Sequence, residues 1–212
     1  MFKRIIEDVN AVRERDPAAK SFLEVFFLYP GVKAIRMHRR ANFFYRHNMM
    51  FWARLVSQRA VRKTGIEIHP GATIGRRLVI DHGTGVVIGE TTEIGDDVLI
   101  YQGVTLGGTG KDTGKRHPTI GNNVMISAGA KVLGPFKIGD NSRVAAGAIV
   151  LTEVPPNSTV VGVPARVVKQ DGKRVALDQI HIPDPVKQKM DSLEERILQL
   201  ETLLKEKNNE NF

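Results

Sequence analysis

Aliphatic residues recur at every sixth position between residues 68 and 150, and this period constrains the fold more than any other feature of the chain. An α-helix would place residues six apart on different faces, and a β-strand alternates with a period of two. A period of six is typical of a solenoid in which each hexapeptide forms one side of a triangular coil. We therefore predict a left-handed parallel β-helix, a hexapeptide prism, with the inward positions Ile68, Ile74, Ile80, Ile88, Ile94, Ile100, Leu106, Ile120, Ile126, Val132, Ile138, Val144 and Val150.

The six-residue period is interrupted twice, and each interruption carries a histidine beside a charged residue. The spacing widens to eight residues where Asp81 and His82 lie. It widens to fourteen at a Gly/Lys-rich loop, residues 107–118, which contains Arg116 and His117. Insertions in a solenoid form loops, commonly on the functional side. The two interruptions therefore indicate where the functional site lies.

Helical patterns flank the prism on both sides, so the predicted fold class is α+β. Residues 1–64 form a helical N-terminal domain, because apolar residues recur there at helical spacing, with breaks near Pro17 and Pro30. Residues 65–168 form the β-helix domain. Residues 169–212 form a linker and a C-terminal heptad helix with a flexible tail. The heptad seam, typical of a helix that pairs with a partner helix, comprises Val186, Met190, Leu193, Ile197, Leu200 and Leu204.

Charge and composition limit the partners. The formal net charge is +8, with basic residues dense between residues 33 and 63, which fits attraction of an anionic, phosphorylated small molecule. We expect no nucleic-acid partner, because no nucleic-acid-binding motif accompanies these residues. We also expect a soluble, cytoplasmic protein without a membrane partner, since no apolar segment approaches the about 20 residues of a bilayer span and the N-terminus is unlike a signal peptide. The chain has no cysteine, which excludes disulfides and a cysteine acyl-enzyme.

Five segments of the chain together resemble the bacterial serine O-acetyltransferases of the hexapeptide-repeat acyltransferase superfamily. They are residues 13–18 (RERDPA), 81–90 (DHGTGVVIGE), 102–111 (QGVTLGGTGK), 115–118 (KRHP) and 162–166 (GVPAR). The resemblance implies transfer of an acetyl group from acetyl-CoA to the hydroxyl of L-serine, which gives O-acetyl-L-serine and CoA in the first step of cysteine biosynthesis.

The same resemblance implies a general base and its supporting carboxylate. His82 takes the place of the base, which suits the chemistry because a serine hydroxyl is a poor nucleophile until an imidazole removes its proton. Glu67 lies where the family usually has Asp, and a carboxylate there would fix the tautomer of the imidazole. Without a cysteine, we expect direct attack in a ternary complex, with no metal.

The resemblance also implies how the two substrates bind. Asp16 and Asp81 would bind the amino group of serine, Arg116 its carboxylate, and His117 the substrate or its developing charge. An α-amino acid requires both an anionic and a cationic partner, and Arg offers a bidentate fork. Amides near Gly107 would stabilise the oxyanion. The residues expected to hold acetyl-CoA are Gly108, Thr109, Ala128, Arg143 and Ala146.

Further partners follow from the resemblance. It implies L-cysteine as a feedback inhibitor at the serine site and association with cysteine synthase through the C-terminal tail. Docking tails of the family usually end in isoleucine, whereas this chain ends in Phe212, so the second partner is only a possible one. We expect a homotrimer, because the helical region before the prism is shorter than in relatives that form a dimer of trimers.

Other interpretations of the same residues stay open. A related acetyltransferase would acetylate homoserine, a sugar or an antibiotic, although a sugar does not call for the residues that frame a zwitterion. A β-helical carbonic anhydrase needs three histidines around zinc, and a third is missing near the interruptions. A binding protein without chemistry would lack the base. Individually, Asp16 is also explained as a helix cap, Glu67 as an edge residue and Arg143 as a surface charge, and structural roles suffice for His38, His47, His69 and His181.

Overall fold

The computed structural model describes residues 2–110, 113–174, 193 and 196–197. The chain divides into two compact units, Met1–Val175 and Ala176–Phe212, and the first contains every helix and strand named below. Most of the predicted heptad helix lies outside the described residues. The N-terminal part of the first unit consists of α1 (Phe2–Arg15), α2 (Phe22–Leu28), α3 (Pro30–Arg46) and α4 (Met50–Thr64).

Local chemistry explains most helix boundaries. Ser21 and Glu24 form a capping box at the start of α2, and Pro30 occupies the first position of α3, where its missing N–H costs nothing. Gly65 ends α4 in the left-handed conformation, with a φ of 69°. The break between α3 and α4 has no proline or glycine and was not predicted. There the chain turns through Asn48, whose φ is 58°.

Short strands follow the helices in the described part of the chain. They are β1 (Glu67–Ile68), β2 (Thr73–Ile74), β3 (Val79–Ile80), β4 (Val87–Ile88), β5 (Glu93–Ile94), β6 (Leu99–Ile100), β7 (Thr105–Gly107), β8 (Thr119–Ile120), β9 (Met125–Ile126), β10 (Lys131–Leu133), β11 (Lys137–Ile138), β12 (Arg143–Val144), β13 (Ile149–Val150), β14 (Ser158–Val161), β15 (Arg166–Gln170) and β16 (Lys173–Arg174).

The strands form three sheets that the chain visits in turn. Sheet 1 has the order β1-β4-β7-β10-β13, sheet 2 the order β11-β8-β5-β2, and sheet 3 the order β16-β15-β14-β12-β9-β6-β3. Strands one coil apart pair in parallel, so the chain winds as a three-sided solenoid of hexapeptide repeats. All the predicted inward aliphatic residues are buried except Ile74, which is half-buried.

The helices cover the first coils and thereby fix the N-terminal residues of the site. Ala34 and Ile35 of α3 belong to the same buried cluster as the aliphatic residues of the solenoid. The helices α1 and α2 pack against sheet 3, where Val25 lies in one buried cluster with Val79. Gly31 allows the closest approach, because a Cβ there would lie 2.2 Å from the carbonyl oxygen of Ile80.

The three corners between the sheets are named by the sheets that they join. Corner 1–2 comprises residues 69–72, 89–92, 108–110, 113–118 and 134–136. Corner 2–3 comprises residues 75–78, 95–98, 121–124 and 139–142. Corner 3–1 comprises residues 81–86, 101–104, 127–130 and 145–148. An asparagine ladder begins at corner 2–3: the side-chain amides of Asn123, Asn141 and Asn157 each donate to the next Oδ1, at 3.0, 3.0 and 2.9 Å, and the last acceptor is Asp171.

The C-terminal strands depart from the parallel pattern. The strand β14 still pairs in parallel with β12, but β15 pairs antiparallel with β14, and β16 antiparallel with β15. This extension was not predicted, because the six-residue period ends before it. The helix-to-strand change falls between Thr64 and Glu67, while the proposed three-domain division stays a prediction. In the ranges described, no helix has both the length and the apolar character that a membrane crossing requires.

Candidate active site

The residues expected to form the site lie on two different corners of the solenoid. Asp81 and His82 lie at corner 3–1, between β3 and β4, whereas Arg116 and His117 lie at corner 1–2, at the end of the loop between β7 and β8. Sheet 1 separates the two corners. We call Asp16, Tyr29, Glu67, Asp81 and His82 the acidic half-site. The basic half-site comprises Tyr45, Glu90, Thr91, Arg116 and His117.

In the acidic half-site, a tyrosine holds the carboxylate of Asp16 in place. The hydroxyl of Tyr29 donates to Oδ2 of Asp16 at 2.8 Å, and the backbone N–H of Ala18 donates to Oδ1 at 2.8 Å. Burial, the hydrogen bond to Asp16 and the negative charge of Asp81 together raise the pKa of Tyr29 to about 12. The negative charges of Asp16 and Asp81 therefore both act on the phenol of Tyr29. Negative charge around this position suits the binding of an ammonium group.

His82 lies exposed at the tip of corner 3–1 in a left-handed conformation, with a φ of 57°, which is uncommon for a residue with a side chain. The next residue, Gly83, packs so closely that a Cβ there would lie 2.5 Å from Cδ1 of Ile66, the neighbour of Glu67. Glu67, the first residue of β1, thus lies next to corner 3–1. The described residues show no hydrogen bond between the side chains of His82 and Glu67.

In the basic half-site, two side chains orient the guanidinium of Arg116. One of its nitrogens donates to Oε2 of Glu90, and the hydroxyl of Tyr45 donates to Oε1 of the same carboxylate at 3.0 Å. Burial raises the pKa of Glu90, but the hydrogen bonds from Arg116 and Tyr45 and the nearby charge of His69 outweigh it, so the pKa is lowered overall. A guanidinium carries five N–H donors, and Glu90 occupies one nitrogen, so others suit a substrate carboxylate.

His117 is buried beside Arg116 and is held by Thr91. Its Nδ1 lies 3.2 Å from the backbone nitrogen of Thr91 and 3.0 Å from its Oγ1. The same Oγ1 accepts from the backbone N–H groups of Arg116, at 3.0 Å, and His117, at 3.1 Å. Burial, then the positive charge of Arg116, lowers the pKa of His117. Glycine is required at position 89, because a Cβ there would lie 1.9 Å from Cδ2 of the imidazole.

Two of the residues expected to hold acetyl-CoA lie along corner 3–1, below His82. Ala128 is half-buried and Ala146 is exposed, and each precedes a glycine with a positive φ, 71° at Gly129 and 67° at Gly147. A Cβ at either glycine would meet nothing within 4 Å. The corner is therefore open at these two coils and carries only small residues there, which leaves room for an extended chain such as pantetheine.

The other three expected residues lie elsewhere on the solenoid. Arg143 is exposed on β12 of sheet 3. Gly108 and Thr109 are exposed at corner 1–2, where a Cβ at Gly108 would lie 3.4 Å from Nε2 of His117. These positions spread the five residues over corner 3–1, corner 1–2 and sheet 3, so a single copy of the chain does not gather them.

Sequence patterns missed the residues that support the predicted ones. Glu90 and Thr91 follow directly on a repeat, and the resemblance covered Glu90 without giving it a role. Tyr29 and Tyr45 come from α2–α3 and α3, and their contacts with the corners depend on how the helices pack on the solenoid. No pattern in the sequence signals those contacts.

Two family profiles match the chain. One is described as "Bacterial transferase hexapeptide (six repeats)" and matches residues 117–152; the other is "Serine acetyltransferase, N-terminal" and matches residues 1–37. Solenoid and profile together define a hexapeptide-repeat transferase.

Individual relatives show which family of hexapeptide-repeat transferases the chain resembles. The serine acetyltransferase of Bacillus subtilis (strain 168) is 54% identical over 208 residues, 97% of this chain and 96% of the relative. The crystal structure of Neisseria gonorrhoeae serine acetyltransferase in complex with serine is 42% identical, with a TM-score of 0.77 over 79% of this chain and 69% of that one. A serine acetyltransferase in complex with cysteine is 41% identical, with a TM-score of 0.79 over 80% and 66%. The chain belongs to the serine acetyltransferase family.

Proposed function

We propose that this protein transfers an acetyl group from acetyl-CoA to the hydroxyl of L-serine, giving O-acetyl-L-serine and CoA in the first step of cysteine biosynthesis. The observation that carries the proposal is the pair of half-sites, one with the carboxylates of Asp16 and Asp81 and the other with the guanidinium of Arg116. Their carboxylates and their oriented guanidinium match the two charges of an α-amino acid.

His82 acts as the general base in this proposal. Its imidazole removes the proton of the serine hydroxyl as the oxygen attacks the thioester carbonyl, and CoA leaves as the thiol. Glu67, on β1 next to this corner, orients the imidazole and stabilises its cation, with one methylene more than the family's usual Asp. The exposed position of His82 at a corner leaves it accessible to both substrates. Attack is direct, without an acyl-enzyme.

The substrates bind through groups from both half-sites. Asp16 and Asp81 bind the ammonium group of serine, Arg116 binds its carboxylate, and His117 contacts the substrate or the charge that develops on it. Amides of the segment Gly107–Thr109 stabilise the oxyanion. Ala128 and Ala146 contact the pantetheine arm of acetyl-CoA along the open surface of corner 3–1. Gly108 and Thr109 complete this contact, and Arg143 supplies a positive charge for the phosphates.

A complete site requires two copies of the chain. Because sheet 1 separates the half-sites, corner 3–1 of one copy must face corner 1–2 of another. Such a contact joins two different surfaces, and repetition of the same contact closes a ring. We propose a homotrimer with three shared sites. A left-handed coil sense, supported by the six-residue period and the hexapeptide profile, is part of this proposal.

Regulation and location follow from the same assignment. L-cysteine carries the same ammonium and carboxylate groups as serine, so we propose it as a feedback inhibitor at the serine site; one relative was solved in complex with cysteine. Cysteine synthase is a possible partner of the C-terminal tail, which lies outside the described residues. We place the protein in the cytoplasm, where both substrates are made.

The proposal is tested by following thiol release from acetyl-CoA with a panel of acceptors: L-serine, L-homoserine, a galactoside and chloramphenicol. We expect rapid release with L-serine alone and a loss of roughly 10²–10⁴-fold in kcat for His82→Ala. His47→Ala, which removes an exposed histidine at the end of α3, is the matched control and should behave as wild type. If serine is inert while another acceptor reacts, the prism and its base stand but the substrate is wrong.

A further inference from the structure

One threonine of corner 1–2, Thr91, contacts both proposed substrate-binding residues of that corner, Arg116 and His117. The Oγ1 of Thr91 accepts hydrogen bonds from the backbone N–H groups of Arg116 and His117, and these two bonds fill its acceptor positions. Its hydroxyl proton is then free to donate, and the hydroxyl lies 3.0 Å from Nδ1 of His117. The backbone N–H of Thr91 donates to the same nitrogen at 3.2 Å.

Two donors directed at one ring nitrogen determine where the imidazole carries its proton. A neutral imidazole has one N–H and one acceptor nitrogen, whereas an imidazolium has two N–H groups. A proton on Nδ1 would face two other protons, so Nδ1 must accept and Nε2 must carry the hydrogen. Burial and the charges of Arg116 and Lys115 also favour the neutral ring and outweigh the opposing charge of Glu90. His69 adds a further repulsion if both rings become protonated.

Nε2 of His117 lies close to two glycines of corner 1–2. A Cβ would lie 2.1 Å from Nε2 at Gly89 and 3.4 Å from it at Gly108, so this nitrogen borders the segment whose amides we assign to the developing charge. We propose that Thr91 is a positioning residue that holds His117 as a neutral Nε2–H tautomer, a fixed hydrogen-bond donor to the substrate oxygens. Thr91 thereby separates the roles of the two histidines, since His117 donates while His82 accepts. The inference rests on the proposed function for its substrate, but not for the tautomer itself.

The kinetic arm of the test uses variants of Thr91 and His117, and Thr91→Val also removes the acceptor of the two backbone N–H groups. Thr91→Val keeps the shape and the backbone N–H but removes the hydroxyl; we expect kcat/KM for serine to fall on the order of 10-fold, and Thr91→Ser to restore most of it. Thr73→Val, an exposed threonine of β2, is the control. His117→Gln places an amide donor near the position of Nε2, whereas His117→Asn places it near Nδ1, so Gln should retain more activity than Asn.

The spectroscopic arm does not depend on the substrate. Long-range ¹H–¹⁵N correlation of ¹⁵N-histidine-labelled protein, assigned with His117→Gln, should show the proton of His117 on Nε2 at neutral pH. Thr91→Val should populate the Nδ1–H form, and Thr91→Ser should not. A proton on Nδ1 in the wild type overturns the proposal, as does normal kinetics in Thr91→Val despite a changed tautomer. An inactive protein with the expected spectrum would refute the proposed substrate and leave the tautomer assignment standing.

Discussion

The phenol of Tyr29 shows how a single residue outside the predicted site tunes a residue inside it. It donates to Asp16, one of the two carboxylates that we assign to the substrate ammonium. We expect Tyr29→Phe to raise the KM for serine by about 10-fold with little change in kcat, because a hydrogen bond to a charged group contributes about 1.5–3 kcal/mol. Steady-state kinetics at saturating acetyl-CoA measures this effect.

A double-mutant cycle provides the control for that prediction. If Tyr29 acts through Asp16, then Tyr29→Phe should add little to the defect of Asp16→Asn. Fully additive effects would show that the phenol contacts the substrate by itself and that the hydrogen bond to Asp16 is incidental.

Gly89 is a second residue outside the predicted site whose substitution should affect catalysis through a neighbour, His117. We expect Gly89→Ala to displace His117 and to lower kcat/KM for serine at least 10-fold, since the new methyl would overlap the imidazole. Gly75→Ala is a matched control, because Gly75 has the same position in its repeat and a Cβ there would lie 2.4 Å from Asp96. Both variants should lose thermal stability, but only Gly89→Ala should lose activity beyond that loss. Equal activity of the two would contradict the predicted displacement.

At the scale of elements, the helix α3 carries a buried histidine with a testable pH dependence. His38 is 4% exposed, and its Nδ1 has no hydrogen-bond partner among the described residues. Burial, aided by the charges of Arg39 and His69 and opposed by a hydrogen bond to Ala72, lowers its pKa to about 4 from 6.5. As pH falls through 6.5, the unfolded chain binds a proton that the folded chain does not, so stability is lost between pH 6.5 and about 4.

The expected loss attributable to His38 is about 3 kcal/mol of unfolding free energy between pH 7 and pH 4. Denaturant unfolding of the wild type and His38→Gln at several pH values measures it as the difference between the two curves, which should shrink as pH falls. His47→Gln, at the exposed end of the same helix, should leave the pH dependence unchanged. A constant difference between wild type and His38→Gln would show that folding does not shift the pKa of His38.

The elements also show which parts of the fold a sequence pattern can reach. The period of six predicted the inward positions of the strands because each coil repeats one local geometry, and the interruptions located Asp81, His82, Arg116 and His117. The turn at Asn48 and the antiparallel strands β15 and β16 follow no repeat, since long-range packing determines them. For the same reason the contacts of Tyr29 with Asp16 and of Tyr45 with Glu90 were not predicted.

At the scale of the whole molecule, the separation of the half-sites predicts complementation between inactive chains. Co-expressed His82→Ala and Arg116→Ala chains should recover about a quarter of wild-type activity per site, because random mixing unites one intact corner of each kind at that frequency. Each variant alone should be nearly inactive. Co-expression of His82→Ala with the double variant His82→Ala/Arg116→Ala, which leaves no intact corner 3–1, should recover nothing. Absence of recovery in the first mixture would place a complete site within one chain.

The asparagine ladder has a direction, and a single carboxylate sets it. An amide can donate or accept on either side, so Asn123, Asn141 and Asn157 alone would have two equivalent orientations. Asp171 can only accept, and this removes the degeneracy: Asn157 must donate to it, and the preceding amides follow in turn. Successive bonds polarise one another, so the dipoles align from the early coils to the last. Asp171, which follows the antiparallel strand β15, thus fixes the orientation of asparagine side chains in the preceding coils, as far as Asn123.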